Sequence, residues 1–316
     1  MTTSSDSLPR SEVTKPHTIF VGPNGIRAGW RFAIFLLIFV AALGFFQTIA
    51  VKVLRPVGRL LVAAEKQQTE FTPYELMANE AISLLALIVA MFSMSRIEHR
   101  RIRDYGFSTR ANDAGRRFLE GIVWGLAMVL VLCTLLKFEG HFTFGAIVLS
   151  PAAAIHYGLL WAIATVLVGF FEEGFFRGYT VLTLSHGMGF WPAAFLMSAI
   201  FGLSHLSDHN YTKIGVLTAA LFGLVACFSL RRTGSLWLAV GYHAAFDFAE
   251  TYLFSPPNGG IANISTTHLF GSTISGPSWL SGGGTGVEGS VNGLVVFAVI
   301  FVLFDWIHPA RQDAPG

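Results

Sequence analysis

Apolar residues gather in eight long runs along the chain, at 29–52, 74–95, 118–137, 156–184, 190–207, 213–230, 234–254 and 291–307. A helix crossing the hydrocarbon of a bilayer needs roughly 20 mostly apolar residues. The pattern therefore predicts an all-α, polytopic membrane bundle of about eight helices. The fourth to seventh runs are separated by short loops, where a merge or a split would fall. The same pattern divides the chain into a polar tail (1–28), N-terminal spans (29–150), a central group of spans (151–254), a glycine- and serine-rich loop (255–290) and a last span with a short tail (291–316). The loop carries no Lys or Arg, and its GGGTG lacks the lysine of a phosphate-binding loop, so it is expected to be a flexible linker. No internal repeat is visible, which argues against a carrier built from two related halves.

Composition sharpens this picture. Of the 316 residues, 53% are apolar and only 13% are charged, against about 25% charged in a typical soluble domain. The net charge of +2 is small and no basic tract interleaves with aromatics, so nucleic acid is not an expected partner. Cys133 and Cys227 each lie inside apolar runs, which excludes a disulfide framework and leaves the redox compartment open. The first residues, MTTSSDSLPRSEVTKPH, hold no apolar signal-peptide core, so the run starting near Gly29 is expected to be a retained anchor. Lys and Arg in short loops favour the cytoplasmic side. Placing both termini inside puts Arg10, Lys15, Arg27, Arg31, Arg231, Arg232 and Arg311 there. It also puts the loop with Arg96, Arg100, Arg101, Arg103, Arg110, Arg116 and Arg117 inside, whereas the reverse orientation would expel that loop.

Three polar clusters interrupt the spans between 156 and 254: Glu172, Glu173 and Arg177 in FEEGFFRGY; His205 in IFGLSHL; His243 and Asp247 in VGYHAAFDF. Ionisable groups at membrane depth are expensive and point to function by default. Residues four apart share a helix face, so Glu173 pairs with Arg177 and Glu172, about 100° round the helix, is left as the free reagent. His243 and Asp247 likewise share a face, as do Phe201 and His205. At 1.5 Å per residue, Glu172, His205 and His243 stand about 18, 22 and 14 Å from the inner ends of their spans. A carboxylate and two imidazoles meeting across helices is what water activation requires, with a metal or a hydrogen-bonding frame polarising the water. Blander roles compete. A lone membrane histidine such as His205 can simply cap a carbonyl, Asp247 can bond across helices, and Glu173–Arg177 reads as structural. His186 and His209 read as loop residues, Glu80 as sitting near an interface, and Glu120 and Glu250 as lying near span ends where charge is tolerated.

At these residues the sequence resembles the CPBP family of intramembrane proteases, which includes the CAAX prenyl protease 2 type and the bacteriocin-processing Abi type. The motif EExxxR reads EEGFFR (Glu172 to Arg177), FxxxH reads FGLSH (Phe201 to His205), and the third reads HAAFD (His243 to Asp247). The resemblance spans about 155–254 and makes 151–254 the expected catalytic core. It implies an endopeptidase, metallo- or glutamate-type, acting on a peptide or protein substrate at the lipid bilayer, and it leaves open whether that substrate is lipidated. Glu172 would be the general base, and His205 would help to hold the water. His243 and Asp247 would position a metal or stabilise the oxyanion. Zinc is the cofactor it allows, with His205, His243 and Asp247 as the ligand set. Asp247 departs from the Asn of the motif: Asn can donate to an oxyanion, whereas ionised Asp only accepts. The expected home is a bacterial cytoplasmic membrane. Two readings from other classes stand beside it: a proton-coupled carrier, and a non-catalytic scaffold or immunity protein.

Overall fold

The computed structural model describes residues 19–23, 25–62, 72–107, 110–207, 210–255 and 267–309. His209, Arg10, Lys15 and Arg311 lie outside them. After a two-stranded hairpin (β1, Val21–Gly22; β2, Gly25–Ile26) come α1 (Ala28–Val62), α2 (Pro73–Ile97) and α3 (Ala111–Phe138). A second strand pair joins β3 (Phe142–Thr143) to the distant β4 (Thr273–Ile274), with Phe142 opposite Ile274. The central group comprises α4 (Pro151–Glu172), a π-helix (Glu173–Val181), α5 (Leu182–Met188), α6 (Phe190–Ser204), α7 (Lys213–Thr233) and α8 (Trp237–Phe248). A second π-helix (Ala249–Phe254) prolongs α8, and the one-turn α9 (Ser278–Ser281) and then α10 (Val291–Ile307) complete the bundle.

Local sequence explains the helix starts. Thr72 and Glu75 form a reciprocal capping box ahead of α2, with Pro73 at the first turn. Ser150 and Thr212 cap α4 and α7 through backbone N–H groups three residues on. Six helical segments are long and apolar enough to cross a membrane: Ala28–Lys52, Pro73–Ile97, Asn112–Phe138, Pro151–Met188, Phe190–Ser207 and Lys213–Thr233. The two remaining apolar runs hold α8 with its π extension and the shorter α10, neither of which is among the six. Large apolar side chains such as Leu37, Phe45, Leu159 and Trp306 are exposed on these helices, as lipid contact requires. The protein is an integral membrane helix bundle.

Close packing of α3 on α8 sets the frame of the site. A Cβ on Gly121 would meet the Leu238 carbonyl at 2.1 Å, and one on Gly241 would meet the Phe118 carbonyl at 2.1 Å. Small residues at such contacts let membrane helices approach backbone to backbone.

Two expectations are corrected. The glycine-rich stretch is no linker over its described part, 267–290. It supplies β4, α9 and a 3₁₀ turn (Val287–Gly289), and Thr285 Oγ1 accepts the Thr212 N–H at 2.7 Å. Its glycines are structural: Gly282, Gly283 and Gly286 have φ of 90°, 59° and 112°, and a Cβ on Gly282 would meet the Gly286 carbonyl at 1.7 Å. The second correction concerns EEGFFR, which leaves α-helical geometry after Glu172 and runs through nine residues of π-helix. Extra residues of this kind frequently mark functional sites, because they re-aim side chains without ending the helix.

Candidate active site

The π-helix turns both motif carboxylates toward α8. Arg177 Nη1 donates to Glu173 Oε1 at 3.0 Å, and both side chains are buried, at 1% and 0% exposure. Room for the guanidinium comes from Gly223 on α7, where a Cβ would stand 2.4 Å from Arg177 Nη2. The Phe201 ring lies 4.4 Å from the guanidinium carbon. Glu173 also accepts from His243: Nδ1–H to Oε1 is 2.8 Å. That bond places a proton on Nδ1 and turns Nε2 away from Glu173. Arg177, Glu173 and His243 thus form a buried relay that orients one imidazole.

On its other side, His243 Nε2 stands 3.5 Å from Glu172 Oε2 and 3.6 Å from Asp247 Oδ2. Nε2 and the two carboxylate oxygens thus face one another across a gap that a water molecule can bridge. Glu172 and Asp247 keep 24% and 28% of their side chains exposed, while Glu173 keeps none. The two carboxylates of the motif are divided between a buried structural role and an accessible one.

His205 opens a 3₁₀ turn (His205–Ser207) where α6 ends. Its Nδ1–H donates to the Phe201 carbonyl at 2.8 Å, so the carbonyl-capping role is present. Yet the ring also lines a cavity of about 80 Å³ with His243 and Asp247. Phe201 stands between the histidines, its ring centroid 5.0 Å from His205 and 6.2 Å from His243. Non-helical backbone at membrane depth is tolerated where it lines such a cavity.

The expected metal set does not close. Among the described residues no group of three or more His, Cys, Asp or Glu side chains could hold a metal ion. His186, expected in a loop, lies in α5 and bonds the Leu182 carbonyl of its own helix, and Glu120 pairs with His308.

Three acids were under-read. Glu250 is no span-end charge: the π extension carries it inside, it is 1% exposed, and it lines the cavity. Its position was legible, since His243, Asp247 and Glu250 fall at i, i+4 and i+7. Glu288 is the sole charged residue of 255–290. It lines the same cavity and accepts from the Tyr211 hydroxyl at 3.1 Å. Burial raises its carboxyl to about 7, against the opposing pull of the His205 ring. Glu80 on α2 is half-buried in the electrostatic field of Glu172, Asp247 and His243.

A polytopic helix bundle with carboxylates and imidazoles gathered around an internal cavity has the make-up of an intramembrane hydrolase. Residues 154–249 match the family described as Rce1-like, type II CAAX prenyl endopeptidase Rce1-like, in agreement with the resemblance carried by the three motifs. The match holds all seven motif residues and excludes Glu80, Glu250 and Glu288. No curated protein matches the chain.

Proposed function

We propose that this protein is an intramembrane endopeptidase in which Glu172 activates water. The observation that carries this reading is the convergence of Glu172 Oε2, His243 Nε2 and Asp247 Oδ2 within 3.5–3.6 Å of one another's shared neighbour, His243. Water held there gives one proton to Glu172 while its oxygen attacks the scissile carbonyl carbon. The C–N bond then breaks, and the proton on Glu172 passes to the departing amine. The water's second O–H donates to Asp247, and His243, oriented by Glu173, borders the same water through Nε2. His205, its Nδ1–H engaged by the Phe201 carbonyl, lines the adjoining cavity and helps to hold the water. No step is assigned to zinc, because the donors do not close around an ion. The substrate is a peptide or protein reached from the bilayer, and both termini of the enzyme face the cytoplasm.

The purified full-length protein in proteoliposomes should cleave members of a membrane-peptide library. Glu172→Gln should lower kcat by about 10²–10⁴-fold, the usual worth of a positioned general base. Undiminished cleavage by Glu172→Gln sinks the assignment. The line of acids from Glu80 to Glu288 also favours a proton carrier; proton flux in liposomes without proteolysis would support that reading instead.

A further inference from the structure

The cavity beside His243 holds more carboxylates than water activation uses. Asp247 and Glu250 from the end of α8 and Glu288 from the glycine-rich segment all line it, whereas Glu172 and Glu173 do not. Of the lining residues, only His205 and His243 can carry positive charge. Arg177 is spent on Glu173 and packed against Gly223.

Glu250 stands out among the acids that line the cavity. It is 99% withdrawn from solvent, its exposure being 1%, and among the described residues its Oε1 has no hydrogen-bond partner. Leaving a buried acceptor bare is unfavourable, more so when it is charged. Such a group faces a cavity for the sake of something that enters it. The walls match a cation: Phe201, Tyr211, Phe222 and Phe246 surround the acids with aromatic rings, whose faces attract ammonium and guanidinium groups. A volume of about 80 Å³ holds several waters, one needing about 10–15 Å³ on this measure, and equally the slender end of a basic side chain. The carboxylates do not close on a metal-sized point, which favours an organic cation that spreads its donors. The strained glycine turn has a purpose in this arrangement, because it folds Glu288 in against Tyr211.

We propose that this cavity is a substrate subsite for a lysine or arginine side chain, with Glu250 and Glu288 as its carboxylate partners. The assignment rests on the peptidase reading for its biological use, though not for its test. The full-length protein in detergent is titrated with n-butylguanidinium and with its neutral near-isostere n-butylurea, following the thermal unfolding midpoint. The guanidinium should raise the midpoint saturably and the urea should not. Glu250→Gln and Glu288→Gln should each weaken the apparent affinity by about tenfold, the worth of one charge-assisted hydrogen bond. Their unfolding without probe reports whether each is folded, and Glu75→Gln, at the exposed start of α2, should respond like the wild type. Equal responses to the two probes, or wild-type affinity in both variants, overturn the subsite. In a second arm, peptides carrying arginine or citrulline are compared, with a preference of about tenfold for arginine expected at one position near the scissile bond. Binding of the guanidinium without cleavage of any peptide defeats the peptidase reading and leaves the subsite standing. Cleavage with no preference for arginine defeats the subsite alone.

Discussion

Glu172 and Glu173 are neighbours in sequence with opposite surroundings, and the difference assigns their work. Glu173, fully buried between Arg177 and His243, is an anchor. Removing one member of a buried pair strands the other charge, at about 3–5 kcal/mol. Arg177→Ala should therefore lower the unfolding midpoint sharply, whereas Glu172→Ala, losing a quarter-exposed carboxylate, should leave it nearly unchanged while abolishing cleavage. The reverse pattern in thermal melts would exchange their roles. Glu288 adds a pH signature. Its carboxyl is raised to about 7 from an ordinary 4.5, so the folded state holds a proton that the unfolded chain releases earlier. Stability from this group is present below about pH 4.5 and declines as pH rises to about 7. Glu288→Gln should flatten that decline in melts recorded between those values. An unchanged slope would remove Glu288 from the buried set. The i, i+4 pairing of Glu173 with Arg177 was legible in the sequence, and it survives the change to π-helix. The unused signal was Glu250, in register with His243 and Asp247, because a charge near the end of an apolar run reads as interfacial until the chain beyond it is seen to fold back.

Individual elements explain how the charges are held at depth. Two π-helical stretches fall at Glu173–Val181 and Ala249–Phe254; the first sets Glu173 against His243 and the second brings Glu250 to the cavity. Neither is legible from hydrophobic periodicity, because a single wide turn shifts the pattern too little to register against an almost wholly apolar run. The α3–α8 interface is the second determinant. Gly121, Gly125 and Gly241 bring the two backbones into contact, and a Cβ on Gly125 would meet the Tyr242 carbonyl at 2.4 Å. Gly121→Leu should force α8 outward and displace His243, which follows two residues after Gly241. The expected result is lost activity together with a lowered midpoint, by more than the roughly 1–3 kcal/mol of ordinary overpacking, since backbone rather than a side chain must yield. Wild-type melting would show that α8 is positioned by other contacts.

For the molecule as a whole, the bundle surrounds its polar groups with apolar helices and turns other apolar side chains outward. At one end, Tyr179 donates to Glu98 at 2.6 Å and Arg31 pairs with Glu98 at 3.4 Å, joining α1, α2 and the π-helix. Arginines crowd the loop that follows, which supports a cytoplasmic placement of this end. Cysteine labelling tests it: Arg101→Cys should react only with reagent on the cytoplasmic side, and Ser275→Cys only with reagent outside. Inverted labelling would overturn the orientation.

Apolar periodicity and three spaced motifs were enough to establish a membrane bundle and to pair Glu173 with Arg177, because both follow from local geometry and from the price of putting charge in lipid. Folding in three dimensions assigned Glu173 to His243, set the Phe201 ring against both histidines, and brought Glu250 and Glu288 to a common cavity. These depend on contacts between residues far apart in the chain, on local widening of helices, and on a glycine turn whose positive φ angles let an apparent linker pack against the core.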